Sequence, residues 1–252
     1  MRLAAACANS LVHLSLPCGT TDRGYIATLG GAMRDARGGG YPLVESITVG
    51  HEKWGASATA GALAGLGVSF PELKSASIRN LTGLEEPDLA TQQRWSPAPR
   101  LAELRISQLG APHGPVTPGS QLHALVAGVC SSFSNLEVLD LNSGLTPSGR
   151  ALPQLCPGLG GVATSLTRLR SLTLRSIGIA AADGGGGGVV GGAGGGGASS
   201  SAAAAAAPSA VGLLPPSLTS LVLVNCGGFA AGACIEPFIE PTLSLAAPLI
   251  CF

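Results

Sequence analysis

A short aliphatic signature returns seven times along this chain and limits what it can fold into. The signature reads L-x-x-L-x-L, with any aliphatic residue allowed. Its instances are Leu11, Leu14 and Leu16; Val44, Ile47 and Val49; a weakened Leu73, Ala76 and Ile78; Leu101, Leu104 and Ile106; Leu136, Leu139 and Leu141; Leu169, Leu172 and Leu174; and Leu218, Leu221 and Leu223. The first members lie 33, 29, 28, 35, 33 and 49 residues apart. The last gap holds a Gly/Ala/Ser tract, Gly184 to Ala207, and falls to 25 residues once those 24 are set aside. A period of about 30 residues marks a repeat architecture.

The last two aliphatic positions are two apart, so both point to one side of a short strand. A strand with one buried face needs a cover, which the following ~20 residues must supply. Gln121 to Cys130 fits best, with Leu122, Leu125, Val126 and Val129 at i, i+3, i+4 and i+7 spacing. Ala56 to Leu66 and Arg150 to Leu155 are further helix candidates, the first Ala-rich and the second very short. Gly110-Ala111-Pro112 and Thr146-Pro147-Ser148-Gly149 mark corners. One unit cannot bury its ridge alone, whereas stacked neighbours can.

Composition agrees with a chain able to build a core. Of 252 residues, 46% are apolar and 11% charged, too apolar for a solvated disordered chain. Fourteen basic and 14 acidic side chains cancel, which removes the electrostatic footprint of a dedicated nucleic-acid binder. No apolar run reaches the ~18 residues that a membrane-spanning helix needs. Seven cysteines without a C-x-x-C pair read as small buried thiols of a reducing compartment, not as a disulfide or zinc framework. The apolar stretch ahead of Ala6-Cys7-Ala8 is too short for a secretory signal, so the chain reads as intracellular. Asn80-Leu81-Thr82 is a glycosylation sequon of the kind that arises by chance.

These residues resemble the leucine-rich repeat proteins. The stretch QLHALVAGVCSSFSNLEVLDLNSGLTPSGRALPQLC, residues 121–156, is similar to their cysteine-containing, ribonuclease-inhibitor-like subtype, as found in F-box substrate receptors and axonemal leucine-rich repeat proteins. Cys7 before Leu11 and Cys130 before Leu136 stand where that subtype ends a helix near a cysteine. Cys226, eight residues after Leu218, stands where the family closes the strand with Asn or Cys; the other repeats place Gly19, Glu52, Leu81, Leu109, Gly144 or Ile177 there. The resemblance implies an α/β fold, a curved horseshoe solenoid of about seven strand-plus-helix repeats with a parallel concave sheet. It implies protein partners and a cytoplasmic setting, with the cytoskeleton or cilium axoneme by family analogy. It also offers a second role, the substrate-recognition part of a ubiquitin ligase, which needs an F-box segment that does not fit before Leu11.

The expected organisation is repeats one to six over 1–183, a low-complexity insert over 184–210, and the last repeat with a C-terminal cover over 211–252. The insert cannot bury enough side chain to offset its ordering entropy and is expected to be disordered. Met1 opens almost directly into a repeat without a polar cap, as expected for a fragment, a truncated gene model or one part of a larger assembly.

Catalytic chemistry finds no anchor in the sequence. His13, His51, His113 and His123 form no H-x-x-x-H pair, and His113 and His123 read as solvated or locally bonded. No G-x-S-x-G elbow occurs. Glu85, Glu86 and Asp88 read as a solvated turn or helix start. Gly186, Gly188 and Gly191 satisfy G-x-G-x-x-G, yet any spaced-Gly pattern matches a tract made almost wholly of Gly. No catalytic, cofactor or metal site is expected, nor a small-molecule ligand. The rival from another class is an enzyme with a loop-borne site, which would need converging titratable groups in a cleft.

What remains is the surface that the repeat creates. Between the last two aliphatics stand Ser15, Thr48, Ser77, Arg105, Asp140, Thr173 and Val222, pointing to the other side of each strand. Just after them come Pro17, Gly50, Arg79, Ser107, Asn142, Arg175 and Val224. The ends of both columns are small or apolar and the centre is charged. Arg79, Glu103, Arg105, Asp140, Asn142 and Arg175 are therefore the expected partner-binding residues of the concave face. Mixed charge suits recognition of another protein. The plain alternative is a solvated sheet face, since charged residues must lie outside. The expected function is a non-enzymatic protein–protein interaction scaffold, with neither nucleic acid nor membrane as partner.

Overall fold

The computed structural model describes residues 2–16, 23–50, 58–82, 95–109, 119–143, 154–155, 160–179, 214–224 and 226. Its strands are β1 (His13–Leu16), β2 (Ser46–Val49), β3 (Ala58–Thr59), β4 (Ser75–Thr82), β5 (Glu103–Leu109), β6 (Val138–Asn142), β7 (Gln154–Leu155), β8 (Ser171–Arg175), β9 (Gly178–Ile179) and β10 (Ser220–Val224). Its helices are α1 (Arg2–Ala6), α2 (Arg23–Ala36), α3 (Ala60–Ser69), α4 (Gly119–Ser132) and α5 (Gly160–Ser165).

Each of the seven aliphatic signatures contributes one strand to a single parallel sheet, in the order β1-β2-β4-β5-β6-β8-β10. The fold is α/β and the sheet is open, with β1 and β10 at its edges. The short β3 joins beside β4, and β7 pairs with β9 in a separate two-stranded sheet. Register follows the signature without a slip. Leu14, Ile47, Ala76, Leu104, Leu139, Leu172 and Leu221 align as one cross-strand row, and Leu16, Val49, Ile78, Ile106, Leu141, Leu174 and Leu223 as a second. Both rows are buried up to β8 and only partly buried at β10, the last strand of the sheet among the described residues. A one-residue slip would turn every one of these side chains to water, so the period of two pins the pairing.

The backbone repeats the same joint at each step. The carbonyl of Glu45 accepts the N–H groups of both Lys74 and Ser75, that of Lys74 accepts Ala102 and Glu103, and that of Ala102 accepts Glu137 and Val138. Val12, Glu137 and Arg170 do likewise for β2, β8 and β10. Ahead of the strands a tight turn sets the approach: Leu73 N–H donates to Phe70, Leu101 to Ala98, Leu136 to Phe133 and Leu169 to Leu166. These four turn residues are fully buried. An apolar residue three places before the first aliphatic is thus part of the repeat, a position outside the expected signature.

The covers are less uniform than the strands. Helix α4 buries Leu122, Leu125, Val126 and Val129 as expected. The helix expected over Ala56 to Leu66 starts later, at Ala60, because Ala58–Thr59 pair with Leu81–Thr82 as β3. The helix expected over Arg150 to Leu155 is a correction: Gln154–Leu155 form β7 against Gly178–Ile179, and the helical turn here is α5. Pro153 within the stretch lacks a backbone N–H and pushes the residue before it out of the helical region. Helix α2 lies outside the expectations, although Ile26, Leu29 and Met33 bury one face at i, i+3 and i+7.

Between β4 and β5 the described residues contain no helix. There Trp95–Ala98 belongs to neither helix nor strand and is joined to α3 by Ser96 N–H on Ala64 and to α4 by Ala98 N–H on Ser132. Trp95 stacks at a tilt on Phe133, ring centroids 5.9 Å apart. Two glycines allow that approach. A Cβ on Gly67 would lie 2.1 Å from the Pro97 carbonyl oxygen, and one on Gly128 2.6 Å from the Trp95 ring.

The insert 184–210 with Gly186, Gly188 and Gly191, the two Gly/Pro corners, Glu85, Glu86, Asp88, His51, His113 and the cover expected after Cys226 lie outside the described residues. Among the described residues no helix is long and apolar enough to cross a membrane.

Candidate protein-interaction face

Among the described residues the sheet has one face closed by the covers and one left open. Strand burial alternates accordingly, with Ser46, Thr48, Val138, Asp140, Ser171 and Thr173 more accessible than their aliphatic neighbours. Strand register then arranges the open face as three rows. Ser46, Ser75, Glu103, Val138 and Ser171 form the leading row. Thr48, Ser77, Arg105, Asp140 and Thr173 form the middle row. Arg79, Ser107, Asn142 and Arg175 form the trailing row.

All six expected partner-binding residues fall on this face, within β4, β5, β6 and β8. Arg105 and Arg175 are exposed, while Arg79, Glu103, Asp140 and Asn142 are half-buried. Glu103 is already engaged: it accepts the Arg105 guanidinium at one oxygen and the Ser75 hydroxyl, at 3.3 Å, at the other. Asp140 stands in register with Arg105, yet its Oδ1 is buried without a hydrogen-bond partner among the described residues. Arg175 makes no ion pair among the described residues.

A flanking row just before the strands neutralises itself. Lys74 Nζ lies 2.8 Å from Glu45, and Arg170 Nε lies 3.9 Å from Glu137, each pair bridging neighbouring repeats. Glu72 and Arg100 pair in the same sense two residues further back. Exposed pairs of this kind contribute little, about 0–1 kcal/mol each.

A row that sequence reasoning missed closes the strands. Asn80, Ser143 and Ser176, each seven residues after the first aliphatic of its repeat, are buried polar residues. Asn80 and Ser176 adopt left-handed backbone, φ 53° and 54°. Ser143 Oγ donates to the Ser176 carbonyl at 2.6 Å, and Ser176 N–H donates to Val224. Short side chains that tolerate this conformation and bond locally suit such a turn. The common offset from the aliphatic signature was the available signal. Asn80 in the sequon is 4% exposed, which leaves no room for a glycan.

The thiols are structural in character. Burial pushes the Cys130 thiol, near the end of α4, up to about 11, which makes it a poor nucleophile at neutral pH. Burial also pushes Cys226 up, against backbone hydrogen bonds at Ile177 and Val224. Its Sγ donates to the Leu174 carbonyl at 3.3 Å, so it ties the end of β10 to the end of β8. His13 and His123 are exposed. Among the described residues no three His, Cys, Asp or Glu side chains gather as a metal site.

Comparison with protein-family models, curated proteins and solved structures finds no match for this chain.

Proposed function

We propose that this protein is a non-enzymatic scaffold of leucine-rich repeat type that captures another protein on the open face of its sheet. The observation that carries the reading is the register. Seven equivalent segments, spaced by about 30 residues, place equivalent side chains side by side, so a face several strands wide displays a designed row pattern instead of scattered residues. The charges concentrate on β4 to β8, and small hydroxyl residues flank them on β2 and on β4. Such a surface gives specificity through paired charges and leaves room for close approach.

The test is capture from the native cell with the wild-type chain and with the double charge reversal Arg105→Glu, Arg175→Glu. The expected result is a partner retained by the wild type and lost by the variant, at unchanged far-UV circular dichroism. A partner retained by the folded variant moves the binding surface elsewhere.

A further inference from the structure

We infer that the partner presents a short extended segment of mixed charge, with a basic side chain over Asp140 and an acidic one, two residues away, over Arg175. This rests on the open face being the docking surface, and it adds the chemistry of what docks there. Most charges on and beside that face are already engaged. Glu103 holds Arg105, while Glu45, Glu72 and Glu137 hold Lys74, Arg100 and Arg170. Arg79 and Asn142 each have a partner within the chain, so neither serves as an anchor. Asp140 and Arg175 are left, on the neighbouring strands β6 and β8. Neither forms an ion pair among the described residues, and Asp140 Oδ1 is buried without a donor.

Register fixes the spacing. Asp140 pairs with Thr173 and Asn142 with Arg175, so Arg175 stands one strand across and two residues along from Asp140. A strand interval of ~4.8 Å and a rise of ~3.3 Å per residue put the two backbones about 8 Å apart. Residues i and i+2 of an extended chain share one face and lie about 6.6 Å apart, and long side chains close the remaining gap. Adjacent residues would point to opposite faces. The signs follow from the anchors, because two like charges would satisfy one and repel the other. An acid over Arg175 can accept two parallel N–H bonds from the guanidinium. Val224 stands exposed in register beside Arg175, so it covers one flank of that pair, and a shielded pair is screened less by salt. A base over Asp140 supplies a donor to its carboxylate, and Glu103 neutralises the Arg105 that stands beside it.

The probes are three labelled peptides, otherwise of Ser and Thr, carrying Lys-Ser-Glu, Lys-Ser-Lys or Glu-Ser-Glu. Binding to the full chain is read by fluorescence anisotropy. Expected are saturable binding of the Lys-Ser-Glu peptide and at least tenfold weaker binding of both single-sign peptides. Arg175→Glu makes both anchors acidic, so at unchanged circular dichroism its preference should pass to the Lys-Ser-Lys peptide. Such a gain of binding does not arise from misfolding. Equal binding of the three peptides by the wild type, or an Arg175→Glu chain that still prefers Lys-Ser-Glu, overturns the inference. A wild-type dimer that dissociates in Arg175→Glu would assign the two anchors to a second copy and overturn an outside partner. Should no peptide bind while a cellular partner is still lost on reversing Arg105 and Arg175, the face stands as a docking surface and only this occupant falls.

Discussion

Arg105 and Asp140 stand side by side on β5 and β6, yet Arg105 pairs with Glu103 of its own strand and leaves Asp140 Oδ1 without a hydrogen bond among the described residues. A half-buried carboxylate in that position costs stability, because its desolvation is not offset by a donor. Asp is also poorly suited to a strand, whereas Thr, which stands in register beside it at position 173, is favoured there. Asp140→Thr should therefore raise stability by about 1 kcal/mol, measured by urea denaturation. The same substitution should weaken partner capture if the carboxylate is kept for recognition. A stability loss would mean that Asp140 has a partner of its own.

The two aliphatic rows should differ in value along the sheet. Leu139 and Leu172 are completely enclosed, so truncation to Ala should cost about 3 kcal/mol through lost transfer energy and a residual cavity. Leu221, on the edge strand, is only partly buried, and its truncation should cost about 1 kcal/mol. Denaturation midpoints of the three variants at equal slope would check the ranking. Equal losses would show that the outer side of β10 is covered as tightly as the centre.

Two glycine substitutions in helices should move stability in opposite directions. Gly31 in α2 has nothing within 4 Å of a built Cβ, so Gly31→Ala should gain up to ~1 kcal/mol from helix propensity. A Cβ on Gly67 in α3 would lie 2.1 Å from the Pro97 carbonyl oxygen, so Gly67→Ala must displace the Trp95–Ala98 segment. That overpacking should cost about 2 kcal/mol net, larger than the propensity gain. Thermal unfolding of the pair reads both signs. Near-Trp fluorescence should change for Gly67→Ala alone.

Stability at alkaline pH should carry the mark of Cys130. Its folded thiol titrates at about 11, above the ordinary value of 9.0, so the unfolded chain releases the proton first. The unfolded state then binds fewer protons than the native state, and stability falls as pH rises from about 9 to about 11, by at most ~1.4 kcal/mol per pH unit. Below pH 9 the group contributes no slope. Cys130→Ala should remove this component, so the check is the difference between the two pH profiles of the unfolding free energy. Profiles that stay parallel through that window would show a thiol open to water.

Much of the sheet could be read from the chain because its information is local. Leu104 and Ile106 are two apart, and two-residue spacing alone assigns them to one face and Arg105 to the other. The same holds for Leu139, Asp140 and Leu141. The covers were harder. Ala56 to Leu66 has Ser57 and Thr59 as its only polar side chains, too few to distinguish a buried helix from a strand, and Ala58–Thr59 went to β3. Arg150 to Leu155 was too short for its own preference to decide, and a partner strand at Gly178–Ile179 decided for it. Phe70, Phe133 and Leu166 belong to the repeat as surely as the leucines, but they lie in the turn before it, where no simple period points to them.

By itself the sequence determined the seven strands of the repeat, which side chains each one buries and which candidate residues share a face, because strand periodicity and a regular repeat act over a few bonds. Tertiary structure alone decided which of those candidates touch. Whether Arg105 turns to Glu103 or to Asp140, whether Gly67 is merely permissive or is required by Pro97, and whether Asn80, Ser143 and Ser176 form one buried row all depend on distances of a few ångströms between segments ~30 residues apart. Those distances are set by how neighbouring repeats pack, which no single repeat encodes.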